Sequence, residues 1–277
     1  MLTERRPWAK KELLVVFRLY CRTTFGKLHQ RNPEIIELAR LLHRTPGAVA
    51  MKACNFASLD PQQRARHIKA LENVSRADKE LWDAFLNNSE TVAQEAEAAF
   101  VAVWGKDVDE YLPELGSMKE PAERKAREKK ESSGEELEIP RGETAKETLV
   151  KARRVQSFFR AAVLTSYEHR CALTGLAISE LLNASHIIPW SVDEKRRADP
   201  RNGICLNALH DRAFDRGFFT FDENLHVVVS PELSKSEICA IHREHLIGIS
   251  GRQLRLPTRF PPDASALEYH RERIFRR

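Results

Sequence analysis

The stretch Ser185–Trp190, "SHIIPW", is followed by Asn202–Gly217, "NGICLNALHDRAFDRG". The first carries a histidine in the second half of an apolar, strand-like run from Leu181 to Ile188. Pro189 ends that run because it has no N–H to donate to a ladder. The second opens on Asn202-Gly203, a pair suited to a tight turn in which the Asn side chain bonds nearby backbone. "LNALHDRAFD" then places Leu206, Leu209, Ala213 and Phe214 at helical steps, with His210 and Asp211 on the first turn. The pattern predicts β–loop–β–α, in which a helix side chain faces the strand histidine across a bound ion. A lone strand histidine would be ordinary; a histidine, an asparagine and a His-Asp pair spaced to meet are not.

Those residue types suit one chemistry. Hydrolysing a phosphodiester needs a base to take a proton from water and a cation to neutralise charge on the phosphate and leaving oxygen. A neutral imidazole is available at pH 7 because its ordinary pKa is about 6.5. Carboxylates and waters suit a hard divalent ion. Arg201, Arg212 and Arg216 surround the same stretch, where guanidinium groups are expected to touch phosphate.

Around this stretch the chain reads as helix, then mixed structure. "ETAKETLVKARRVQSFFRAAVLTSYEHR" predicts a long helix from Glu143 with Val155, Phe158, Phe159, Ala162 and Val163 inward. "GFFTFDENLHVVV" predicts a hairpin with its tip at Asp-Glu-Asn, and "ASALEYHRERIFRR" a helical tail. Upstream, Leu13, Val16, Phe17 and Tyr20 mark a helix from about Ala9 to Cys21. Asn32-Pro33 and Thr45-Pro46 each pair a cap residue with a proline at the first helical position. The resulting short helix, break near His43-Arg44 and second helix resemble a helix-turn-helix. Its second helix is expected to expose Lys52, with Arg44 nearby, as a DNA-contacting face. A helical core with a solvated basic face is the plainer reading of the same pattern.

Residues 119–143 are almost all charge with Gly, Ser and Pro, and read as a linker. The chain is therefore expected to divide into a helical region, 1–112, a charged linker, 113–142, and a second domain, 143–277. The fold class is α+β. A formal charge of +5 and a pI near 9.0 suit a phosphate-bearing partner without requiring one. Five scattered cysteines with no Cys-x-x-Cys pair argue against disulfides and a zinc knuckle, and fit the reducing cytoplasm. No run approaches the roughly 18 apolar residues of a membrane span, and no secretory leader is visible.

In order, "RVQSFFRAAVL", "CALTG", "ASHIIPW", "DPRNGICLNALHDRAFDRGFFTFD", "VVVS" and "LPTRFPPDASALEYHRERIF" resemble the HNH endonucleases, the ββα-metal nucleases. The resemblance implies a metal-dependent DNA endonuclease, with a restriction or antiphage role by analogy. It puts His186 at the general base, Asn202 at the central asparagine that braces the loop, and Asp211 at the metal-binding position, with His210 as a second candidate. Many relatives have Asp before the base, whereas this chain has Ser185, a weaker ligand that implies more water around the ion. The implied cofactor is Mg²⁺, with Mn²⁺ as the alternative, and no structural zinc. DNA is the implied partner. The helical region is left to bind DNA, a second copy or another protein, and a catalytically silent DNA-binding regulator is the rival reading.

Overall fold

The computed structural model describes residues 6–66, 74–105, 143–235 and 238–277, with the backbone alone at 143–147. The expected linker, 113–142, lies outside the described residues. The N-terminal region is helical: α1 (Lys10–Arg22), α2 (Pro33–Leu41), α3 (Pro46–Leu59), the short α4 (Pro61–Ala65), α5 (Arg76–Asn87) and α6 (Ser89–Trp104). Both predicted caps form. The Asn32 side chain accepts from the Glu34 amide and that of Thr45 from the Ala48 amide, each ahead of its proline. His43, at a φ of 52°, turns the chain between α2 and α3.

The remainder is mixed. A long helix, α7 (Glu143–Ser166), leads to an antiparallel hairpin of β1 (Leu182–His186) and β2 (Gly203–Asn207). Helix α8 (Ala208–Asp215) follows at once, capped by Asn207, whose side chain accepts from the His210 amide. A second antiparallel pair, β3 (Phe219–Phe221) and β4 (Val227–Val229), and helix α9 (Ala264–Arg273) complete the described fold. Asn202-Gly203 is not a tight turn: Asn202 ends a short 3₁₀ turn, and Gly203 is extended at φ −137°. No described helix is long and apolar enough to cross a membrane.

Two buried clusters form, one of them entirely within residues 159–267, but the division at residues 112 and 143 does not fall between them. Phe17, Tyr20, Phe56, Trp82 and Phe85 of the helical region share one buried cluster with Val155, Phe158 and Ala162 of α7, and with Ala198 and Phe260. Trp82 and Phe260 stack at 5.6 Å between centroids, and Phe85 meets Phe158 at 5.9 Å. Burying each such ring contributes roughly 1.5–3 kcal/mol, so α7 and the 260 segment cannot leave cheaply. Polar bonds follow the same seam. Arg259, buried to 1% exposure, donates to the carbonyls of Tyr20 and Thr23. Those lie at the C-terminal end of α1, where helix carbonyls have no partner of their own. A residue from the far end of the chain thus caps the first helix.

The cations expected on the helix-turn-helix face are committed elsewhere. Lys52 is buried, its ammonium within 2.9 and 3.0 Å of the two Asp78 carboxylate oxygens. Asp78 is also the third residue of α5 and closes a capping box with Ser75. Arg44 donates to Glu12 and to the carbonyls of Arg6 and Pro7, and lies 4.2 Å from the centre of the Trp8 ring. Neither side chain forms the solvent-facing patch that the sequence predicts. Helix α3 instead presents Met51, 61% exposed.

Candidate active site

His186 ends β1, and its cross-strand partner is Gly203. A Cβ at Gly203 would fall 2.5 Å from a Val163 methyl and 2.7 Å from the Phe159 ring. The missing side chain lets α7 press Phe159 against the imidazole. The two rings stack with centroids 3.7 Å apart and planes 13° from parallel. Trp190 meets the imidazole edge-on at 5.6 Å. The imidazole Nε2 lies 3.0 Å from the Arg197 carbonyl oxygen. A carbonyl only accepts, so Nε2 carries the proton and Nδ1 keeps its lone pair. Burial pushes the His186 pKa down to about 4, against a smaller rise from the Arg197 carbonyl and with a small Arg197 charge effect adding to the fall. At neutral pH this is an uncharged base with one fixed tautomer.

Asn202 is 1% exposed and grips the backbone just beyond His186. Its Oδ1 accepts from the Ile188 amide at 2.8 Å, and its Nδ2 donates to the Ile188 carbonyl at 3.1 Å. The Ile187 amide donates to the Asn202 carbonyl at 2.9 Å. The side chain therefore acts as a piece of strand, and its partner lies across the loop rather than within a local turn.

Strand alternation puts Asn183 and Ser185 on the face opposite His186. Asn183 donates from Nδ2 to Asp211 Oδ2 at 2.8 Å, so this face looks toward α8, and Asp211 meets the side of β1 opposite the His186 ring rather than facing that histidine directly as the sequence predicts. Ser185 is 1% exposed, and its hydroxyl oxygen has no hydrogen-bond partner. Buried hydroxyls normally find one, and Ser185 shares its strand face with Asn183, the residue that bonds Asp211. Among the described residues, no three His, Cys, Asp or Glu side chains cluster to cage an ion. One carboxylate and one hydroxyl fit a hard ion that keeps most of its shell as water and substrate oxygens.

His210 is not part of this set. It is fully buried, and its Nε2 donates to the His245 carbonyl at 2.7 Å. Its Nδ1 lies 3.2 Å from the Asn207 amide nitrogen. Cys171 also bonds to it. Although burial raises that thiol, its hydrogen bonds with His210, Thr174 and the local backbone bring it down to about 6. With both ring nitrogens engaged, His210 has no lone pair for a metal. Arg201 is likewise occupied, donating to both Asp199 oxygens and to the Leu86 carbonyl at 3.1 Å. It joins the hairpin to the end of α5 rather than facing a ligand. Arg212 and Arg216 are exposed on and just after α8.

Sequence reasoning missed Phe159, Arg197 and Asn183. The strand period would have found Asn183, two residues before Ser185 and hence on its face. Nothing local marks Phe159 or Arg197, which reach His186 only through tertiary packing.

Residues 171–222 match the family model described as HNH endonuclease. The match spans the β1–β2 hairpin, α8 and β3, and it assigns a nuclease-type, hydrolytic function to this part of the chain. HNH nucleases generally use a divalent metal. Comparison with curated proteins gave no match.

Proposed function

We propose that this protein is a divalent-metal-dependent endonuclease that hydrolyses DNA phosphodiester bonds, with His186 as the general base. The observation that carries this reading is the imidazole itself: neutral, clamped by Phe159, and fixed through Nε2 on the Arg197 carbonyl. Nδ1 is then the atom that accepts a proton from the attacking water, a contribution typically worth about 10²–10⁴ in rate. Water adds to phosphorus as its proton passes to Nδ1, and the bond to the 3′ oxygen breaks, leaving a 5′-phosphate end. Asn202 fixes the height of the loop through Ile188 and so aims the ring. Asp211, steadied by Asn183 on the face of β1 that also carries Ser185, would hold Mg²⁺, with Mn²⁺ as the alternative. Such an ion would supply positive charge to offset that building on the phosphate and the leaving oxygen. Arg212 and Arg216, exposed beside Asp211, would contact the DNA backbone. By family analogy alone, we assign the activity to restriction or antiphage defence in the cytoplasm.

The helical region supports the site rather than reading sequence in this proposal, because Arg44 and Lys52 are tied into ion pairs. The test is supercoiled plasmid incubated with the full chain and Mg²⁺, Mn²⁺ or EDTA, with His186→Ala alongside. Metal-dependent nicking or linearisation that vanishes in the variant is the expected result. No cleavage in any metal, or cleavage that survives His186→Ala, sinks the reading.

A further inference from the structure

Helix α6 begins with two side chains that reach out of the helical bundle into the loop after β1. Ser89, 1% exposed, donates from Oγ to the Lys195 carbonyl at 2.8 Å. Glu90 accepts at 3.4 Å from the Arg197 guanidinium, with the two side chains only 20% and 18% exposed. Arg197 is the residue whose carbonyl holds His186. Its guanidinium also donates from Nε to the Trp190 carbonyl at 2.8 Å, bonds Glu194 at 3.1 Å, and lies 5.0 Å from the centre of the Trp190 ring. Trp190 in turn abuts the imidazole. The loop is thus gripped at residues 195 and 197 from one helix end, with Arg196 also tied to Asp263, and the Arg197 carbonyl sets the protonated nitrogen of His186. A carboxylate in the first turn of α6 also suits the positive end of the helix dipole. Both residues lie outside the segment that matches the nuclease family.

We propose that Ser89 and Glu90 are positioning residues for His186: through Lys195 and Arg197 they hold the carbonyl that dictates the tautomer of the imidazole. The proposal rests on the reading of His186 as the general base only for its effect on cleavage; the effect on tautomer stands apart from it. The bundle then belongs to the active site, since a shift of its α6 end moves the base. Misplacing a reacting group by about 1 Å can cost on the order of 100-fold in rate, so losing this grip should lower kcat about 10- to 100-fold and leave KM near its original value.

The test uses the full chain, ¹⁵N-labelled and metal-free, with His186 assigned by the loss of its ring signals in His186→Ala. Long-range ¹H–¹⁵N spectra of the wild type should show one tautomer, protonated at Nε2. Glu90→Ala combined with Ser89→Ala should give mixed tautomers. Glu90→Gln, which keeps an acceptor for Arg197, should restore most of the wild-type pattern. Glu95→Ala, further along α6, should leave the ring unchanged. If the double variant fails to fold, Glu90→Ala alone is judged on the same signals. A wild-type nitrogen pattern in the folded Glu90→Ala protein overturns the proposal. So does an equal change in Glu95→Ala, which would mark a general loosening. Plasmid cleavage is read in parallel: mixed tautomers in a chain that never cuts DNA would keep the positioning role and remove the nuclease reading. An active enzyme with an unmoved tautomer would do the reverse.

Discussion

Two polar regions of this molecule handle burial in opposite ways. In the helical bundle, ionisable groups sit deep and cancel: Lys52 with Asp78, Arg18 with Glu97 at 2.8 Å, and Arg44 with Glu12. At the hairpin, the buried polar groups are left with something to spare. His186 has a free lone pair, and Ser185 has an oxygen with no partner. Orphan oxygens are not confined to the hairpin, since Thr23 Oγ1, Gln63 Oε1 and Glu97 Oε2 of the bundle also lack a partner, so the difference lies in paired charges against a neutral imidazole. The state of charge therefore distinguishes the two regions better than residue type does, since both are rich in the same side chains.

The contrast can be broken first at its working end. His186→Ala should lower plasmid cleavage about 10³-fold, within the usual range for removing a general base, while its thermal unfolding midpoint stays near that of the wild type. A large stability loss with residual cutting would move His186 into the supporting class. At the other end, Asp78→Ala should destabilise the fold by about 3–5 kcal/mol, since it strands the buried Lys52 ammonium. Chemical denaturation measures this directly. Lys52→Glu should likewise unfold the bundle, and a folded Lys52→Glu protein with weakened DNA binding would restore the expected DNA-reading face.

Asn202→Ala sharpens the boundary because Asn202 belongs to both classes. Two lost hydrogen bonds to Ile188 should cost about 1–3 kcal/mol, and kcat should fall further than that stability loss explains. The smallest effect concerns pH. His270 is buried, donates to the Phe214 carbonyl at 3.1 Å and accepts from Thr220 at 2.9 Å. Burial pushes its pKa down to about 4, below the ordinary 6.5 of an unfolded chain. The unfolded state therefore takes up the proton first as pH falls. The stability from the neutral ring is whole above about pH 6.5 and is lost progressively toward pH 4. A melting curve measured across that range should decline, and His270→Gln should flatten part of the decline. An unchanged slope would place the acid sensitivity elsewhere.

Much of the local structure was legible in the sequence. Proline-bearing caps, the α7 stripe and the hairpin at Asp222–Asn224 all follow from short-range rules of spacing and turn chemistry. The nearness of His186 and Asn202 was legible as well, because one hairpin brings them close, whereas the side of β1 that Asp211 would meet was not. What could not be read was orientation across long separations. Lys52 looks exposed on a helical wheel until Asp78 is known to lie against it. His210 and Asp211 are adjacent in sequence, yet a single step around α8 sends one into the core and the other toward Asn183. The shared core was hidden for the same reason: a charged stretch reads as a boundary, and nothing in it tells whether the flanking helices pack together.

The capping of α1 by Arg259 has a consequence for how the chain comes to be folded. The Phe260 amide also bonds Asp60, and the Phe260 ring completes the aromatic cluster around Tyr20 and Trp82. Contacts this distant in sequence form late, since a large loop must close before any of them stabilises the fold. During synthesis the helical bundle therefore waits, incomplete, until the ribosome has released the 260 segment. By then the whole hairpin and α8 have already emerged. Bundle and hairpin should thus become native together rather than in turn, and a nascent chain halted before Arg259 should carry neither.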